Sequence, residues 1–183
     1  MAIALNSLND IVSFRLRYNE ASLLVDTNVL LLLLIGIYDK NYLEHCQLMK
    51  RNSKNYTKEH FELLQQILNC FLNRIIITPQ ILAEIYSLSH TELDKSDKQK
   101  FSDYFTKAIE KLKSCQEYYI PLNVLIKNTG IIIKFGFTDV SIIEAAREKK
   151  SVILTDDFRL YATLQDKVPV IYFSSIVANK EIS

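Results

Sequence analysis

Short, uninterrupted apolar runs alternate along this chain with longer stretches whose apolar residues recur at helical spacing. Leu23-Leu24-Val25 stops at Asp26, Ile75-Ile76-Ile77 sits between Arg74 and Thr78, Val152-Ile153-Leu154 runs into Thr155-Asp156-Asp157, and a last run covers residues 168–173. Runs this short, with no polar alternation, predict strands buried on both faces. The stretches between them predict helices. Leu8, Ile11, Val12 and Leu16 give residues 1–20 the pattern of a peripheral helix, and the Leu-rich stretch 27–50 reads as helical. A loop at 52–55 precedes a helix over 60–72. Thr78 then offers an N-cap and Pro79 a first helical position for a helix to residue 90. A polar linker leads to an amphipathic helix over 97–115, on the spacing of Phe101, Tyr104, Phe105, Ala108, Ile109 and Leu112. Residues 118–135 read as a short extended piece and a helix interrupted at Gly130. Thr138-Asp139 begins another helix to residue 149, and one more covers 158–165. Strands alternating with helices imply an α/β fold, a mainly parallel sheet of four to five strands covered on both faces in three layers.

Length and composition narrow this picture slightly. At 183 residues, 49% hydrophobic and 23% charged, the chain suits one globular domain over 1–183. Three glycines and three prolines are too few for the many turns of an all-β protein. A net charge of +1 gives no global field toward nucleic acid, and the clusters Lys50, Arg51, Lys54, Lys58 and Lys95, Lys98, Lys100 read as solvated helical faces. Cys46, Cys70 and Cys115 are odd in number and contain no CxxC pair, which argues against a zinc site or a disulfide framework. No secretory signal is evident. The apolar stretch 29–37 falls short of the roughly 20 residues that span a bilayer. A cytoplasmic setting is the expectation, with no membrane partner.

The position of certain acids is more informative. Asp26 and the Asp156-Asp157 pair each terminate an apolar strand, at the edge where open α/β sheets place their sites. Glu84 shares a helix face with Ile81 and Leu88, and Asp139 with Ile142, Ile143 and Ala146. A carboxylate there is costly unless paired or metal-bound. Each has an ordinary alternative: a turn acid at Asp26, a Lys-paired side chain at Glu84, an N-cap or first-turn acid at Asp139. The combination is what points to a counter-charge, and a divalent cation with oxygen ligands is the usual one.

Leu24-Val25-Asp26-Thr27-Asn28, Thr78-Pro79-x-x-x-x-Glu84, Phe137-Thr138-Asp139-x-x-Ile142-Ile143-x-x-Ala146 and Leu154-Thr155-Asp156-Asp157 follow one another in an order and spacing that resembles the PIN-domain nucleases, a family that includes VapC-type toxins and RNA-decay nucleases. The resemblance covers about residues 22–173, with an N-terminal helix over 1–20 outside it. The segment 37–74 is longer than in compact toxins, a helical insertion whose surfaces cannot be carried over.

That likeness implies a PIN-like fold and metal-dependent hydrolysis of RNA by an endoribonuclease. Asp26, Glu84, Asp139 and Asp157 would be the catalytic, metal-holding acids, with Asp156 able to share or take the fourth place. Mg²⁺ or Mn²⁺ would be the cofactor. Asn28 and Thr155 would orient the carboxylates by hydrogen bonds. The partners implied are RNA and, for a toxin of a toxin–antitoxin pair, an antitoxin protein and a second copy in a homodimer. Two rivals stand beside it. One is a PIN-like scaffold that binds RNA or protein without cutting. The other is a metal-dependent phosphatase with an aspartyl nucleophile, which wants an acid two positions after Asp26 where this chain has Asn28. His45, His60 and His90 read as structural or surface residues.

Overall fold

β1 (Leu23–Val25) is the central strand because it is apolar on both faces and pairs on both edges. Leu23 and Leu24 stand opposite Ile75 and Ile76 of β2 (Ile75–Ile77) on one side. On the other, Leu23, Leu24 and Val25 stand opposite Val152, Ile153 and Leu154 of β4 (Val152–Thr155). β3 (Gln116–Glu117) extends the sheet beyond β2, and β5 (Val170–Tyr172) extends it beyond β4. The order is β3-β2-β1-β4-β5, and every pairing is parallel. The computed structural model describes residues 7–18, 20–46, 48, 55–71, 74–92, 98–99, 102, 105–106, 110 and 115–181.

All-parallel strands need crossover helices, and these cover both faces of the sheet in an α/β/α sandwich. Among the described residues the helices are α1 (Leu8–Arg17), α2 (Thr27–Tyr38), α3 (Lys58–Asn69), α4 (Pro79–Glu92), α5 (Leu122–Leu125), α6 (Thr129–Phe135), α7 (Phe137–Lys149), α8 (Phe158–Leu164) and α9 (Phe173–Glu181). α2 is apolar all round, and residues 29–35 are buried throughout, because β4, α3 and α4 all pack on it. Gly36 permits the α2–α3 approach: a Cβ there would lie 2.2 Å from the Phe61 ring. No helix among the described residues is long and apolar enough to cross a membrane.

Several boundaries differ from the sequence reading. α2 ends at Tyr38 and gives way to turns over 40–45, where the pattern alone suggested helix to residue 50. The break predicted at Gly130 falls instead on a 3₁₀ segment, Ile126–Asn128, and Gly130 lies inside α6. The sharp reversal is at Gly136, whose φ of +89° favours a residue without Cβ. It caps α7, so that helix starts at Phe137 and Asp139 lies in its first turn, not at its cap. The two-residue strand β3 carries only exposed polar residues and left no hydrophobic signal. The run predicted to end a strand at residue 173 divides, with Phe173 opening α9. Most of the helix predicted over 97–115 lies outside the described residues, as do Lys50, Arg51, Lys54, Lys95 and Lys100.

Candidate active site

The chain leaves β1 and β4 in opposite directions, toward β2 and toward β5. Adjacent parallel strands with diverging connections open a crevice above their C-terminal ends, the general location for sites in open α/β sheets. Asp26 follows β1 there, and Asp157 lies just beyond β4. α4 brings Glu84 and α7 brings Asp139 to the same place, and the two helices pack on each other. All four carboxylates line one cavity of about 410 Å³, together with Thr27, Asn28, Thr138, Phe135, Phe137 and Arg159.

Asp26 is the most enclosed, with 3% of its surface exposed. It caps α2, accepting the Thr27 N–H on Oδ1 at 2.6 Å, and accepts the Thr155 hydroxyl on Oδ2 at 2.7 Å. Burial pushes its carboxyl up to about 6, against those two hydrogen bonds, and the charges of Glu84 and Asp157 push the same way. Asp139 is half-buried and rises to about 7, first through burial and then through Asp26, Asp157 and Glu84, with the Arg159 charge opposing. Glu84 accepts a hydrogen bond from the Thr27 hydroxyl at 2.7 Å. Asp157 caps α8, accepting the N–H groups of Arg159 and Leu160 at 2.7 and 3.1 Å.

Thr155 connects the two strand-end acids. While its hydroxyl donates to Asp26, it accepts the backbone N–H of Asp157 at 3.0 Å. Thr27 was not singled out from the sequence, nor was Arg159. A β-branched hydroxyl residue directly after a strand-end acid was the available signal for Thr27. Nothing in the local pattern marked Arg159, because its place depends on how α8 turns away from β4.

Asp156 faces elsewhere. Its carboxylate accepts the Tyr56 hydroxyl, and the Ser174 N–H and hydroxyl at 2.9 and 2.6 Å. It lines a separate cavity of about 190 Å³ with Tyr56, His60 and Phe173. Burial and the Asp156 charge drive the Tyr56 phenol far above its ordinary value, so it stays a donor. Successive residues leaving a strand point to opposite sides, which separates Asp156 from Asp157. His60 has a structural part in this region: its Nδ1 accepts the Thr57 N–H at 2.8 Å at the start of α3.

The donor set, four carboxylates at an open cavity, fits a hard divalent cation in chemistry. In arrangement it is not closed: among the described residues no three His, Cys, Asp or Glu side chains are grouped to hold a metal ion. No family model, curated protein or solved structure matches the chain.

Proposed function

We propose that the acidic cavity hydrolyses RNA phosphodiesters, with Mg²⁺ or Mn²⁺ held by Asp26, Glu84, Asp139 and Asp157. The observation that carries this reading is the convergence of those carboxylates, delivered by four separate elements onto one cavity at the sheet's switch point. Burial first, and then their mutual repulsion, raise Asp26 and Asp139, and a divalent cation would offset both. When bound, the cation would supply water activation and charge stabilisation at the phosphate. The chain's own residues do the rest. Thr155 and Thr27 keep the Asp26 and Glu84 carboxylates oriented, and Arg159 offers a positive group to the substrate's phosphate. Phe137, in the lining of the cavity, is more than half exposed and available for stacking on unpaired bases.

The likeness to PIN-domain nucleases supports the same substrate, and three widely spaced cysteines with no CxxC pair suit a cytoplasmic setting. In a toxin, an antitoxin would cover this cavity, and a homodimer would be in keeping. Among the described residues no three of these acids are grouped to hold a metal ion, which favours one rival specifically, a scaffold that binds RNA without turnover.

Cleavage of RNA with Mn²⁺, with Mg²⁺ and with EDTA, in the unaltered protein and in Asp26→Asn and Asp139→Asn, tests the assignment. Cleavage that needs metal and is lost in both variants is expected. Metal-independent cleavage, or cleavage undiminished in both, overturns it. RNA binding without turnover establishes the scaffold, and phosphate release from small phosphoesters with RNA untouched establishes a phosphatase.

A further inference from the structure

Phe135, the last residue of α6, belongs to the wall of two cavities. One is the acidic cavity. The other, about 210 Å³, has Ile131, Ile143 and Leu164 in its lining and three cations beside them, Lys134, Arg147 and Lys167. The Phe135 ring joins the two electrostatically. Lys134 Nζ lies 4.8 Å from its centroid, and the Arg159 guanidinium, in the lining of the acidic cavity, lies 5.1 Å from it. Lys134, Arg147 and Lys167 are all exposed, and Arg147 also bonds Glu144 at 2.7 Å.

A polyanion cannot be held by carboxylates. The phosphates on either side of a reacting bond need cations of their own, and among the described residues Arg159 is the one cation in the acidic cavity's lining. The neighbouring pocket gathers three more in a chain whose net charge is only +1, so this is local charge complementarity and not a general basic surface. We propose that the Lys134–Arg147–Lys167 pocket is a phosphate subsite for single-stranded RNA, receiving backbone phosphates that flank the bond presented to the acids, with the strand passing over Phe135. The assignment rests on the reading of the acidic cavity as the place of cleavage.

The test is binding of a fluorescein-labelled oligouridine of about 12 nucleotides, followed by anisotropy in EDTA across a salt series. Unaltered protein is compared with Lys134→Glu/Lys167→Glu and with Arg17→Glu/Lys40→Glu, an equal charge change outside both cavities. The first pair is expected to weaken binding at least tenfold and to lower the log–log salt slope by about 1.4, two phosphate contacts at about 0.7 each. The control pair is expected to stay within about twofold, and circular dichroism reads folding in each. Should the charge reversal fail to fold, Lys134→Gln/Lys167→Gln reports the same slope.

Equal effects in both pairs, no effect in either, or no RNA binding by the unaltered protein overturns the subsite. So does polyglutamate of matched charge that binds the unaltered protein as tightly as the oligouridine and loses that binding equally in the Lys134/Lys167 pair, which would mark an acidic-peptide surface. Cleavage with Mn²⁺ is scored separately. Binding lost in the first pair while no RNA is ever cut sinks the hydrolase and keeps the subsite. Cleavage with binding equal across the pairs does the reverse.

Discussion

The Thr155 hydroxyl donates to Asp26 Oδ2 at 2.7 Å from a position with no solvent exposure, and the same oxygen receives the Asp157 N–H. One side chain on β4 therefore sets the carboxylate that ends β1 and the backbone that presents the acid of α8. It also lowers the Asp26 carboxyl, against the burial that raises it.

Thr155→Val is expected to reduce metal-dependent cleavage by about 10–100-fold, since it removes the group that orients a proposed ligand. It also leaves a buried carboxylate oxygen without its donor, at a cost of about 1–3 kcal/mol in stability. Thr155→Ser, which keeps the hydroxyl, should stay near the unaltered protein in both. Cleavage rates and urea unfolding check the pair, and an active Thr155→Val protein would show that the hydroxyl has no part in the chemistry.

Asp26 and Asp139 give the metal-free protein a definite pH dependence. Both carboxyls are raised in the folded state, to about 6 and about 7 from 3.8, so the native state holds more protons than the unfolded chain between those values. Their stabilising contribution is complete below about pH 4 and is lost as pH rises through about 6 and 7. The melting temperature in EDTA should fall across that window. Asp139→Asn should raise it by about 5 °C at pH 8 and leave it unchanged at pH 4. Mn²⁺ should raise the melting temperature of the unaltered protein at pH 8, and much less that of the variant. A variant that melts below the parent at pH 8 would contradict the electrostatic account.

Asp156 and Asp157 are adjacent and should behave differently. Asp157→Asn preserves a good N-cap for α8 and is expected to fold normally while cleavage drops by at least about 100-fold. Asp156→Ala strips the acceptor from Tyr56 and Ser174 and is expected to lose about 2–4 kcal/mol, with the folded fraction still cutting RNA. Unfolding curves and cleavage normalised to folded protein separate them.

Gly36→Ala would press a methyl group into the Phe61 ring and should destabilise by about 1–3 kcal/mol. Adding Phe61→Leu should recover part of that loss. Thermal melts of the single and double variants measure the coupling, and strict additivity would mean that Gly36 is not held by this contact.

Much of the layout was legible in the chain. Leu23–Val25, Ile75–Ile77 and Val152–Thr155 are strands because a short apolar run stays out of water only when covered on both sides, a property of the run itself. The acids that stop two of those runs, and those on the apolar faces of α4 and α7, could be singled out for the same reason: a charge set among Ile and Leu is visible without coordinates. Tertiary structure decided what no local pattern carries. β3 forms from exposed Gln116 and Glu117 because Ile76 and Ile77 offer an unpaired backbone edge, not through any preference of its own. Asp157 enters the acidic cavity and Asp156 leaves it because strand geometry sends neighbours to opposite sides, where Tyr56, 100 residues earlier, and Ser174, 18 later, await one of them. Thr155 and Asp26 are 129 positions apart, and only the parallel pairing of β1 with β4 brings hydroxyl to carboxylate. Periodicity and charge record how one segment meets water, whereas the partner of a buried polar atom is chosen by the fold.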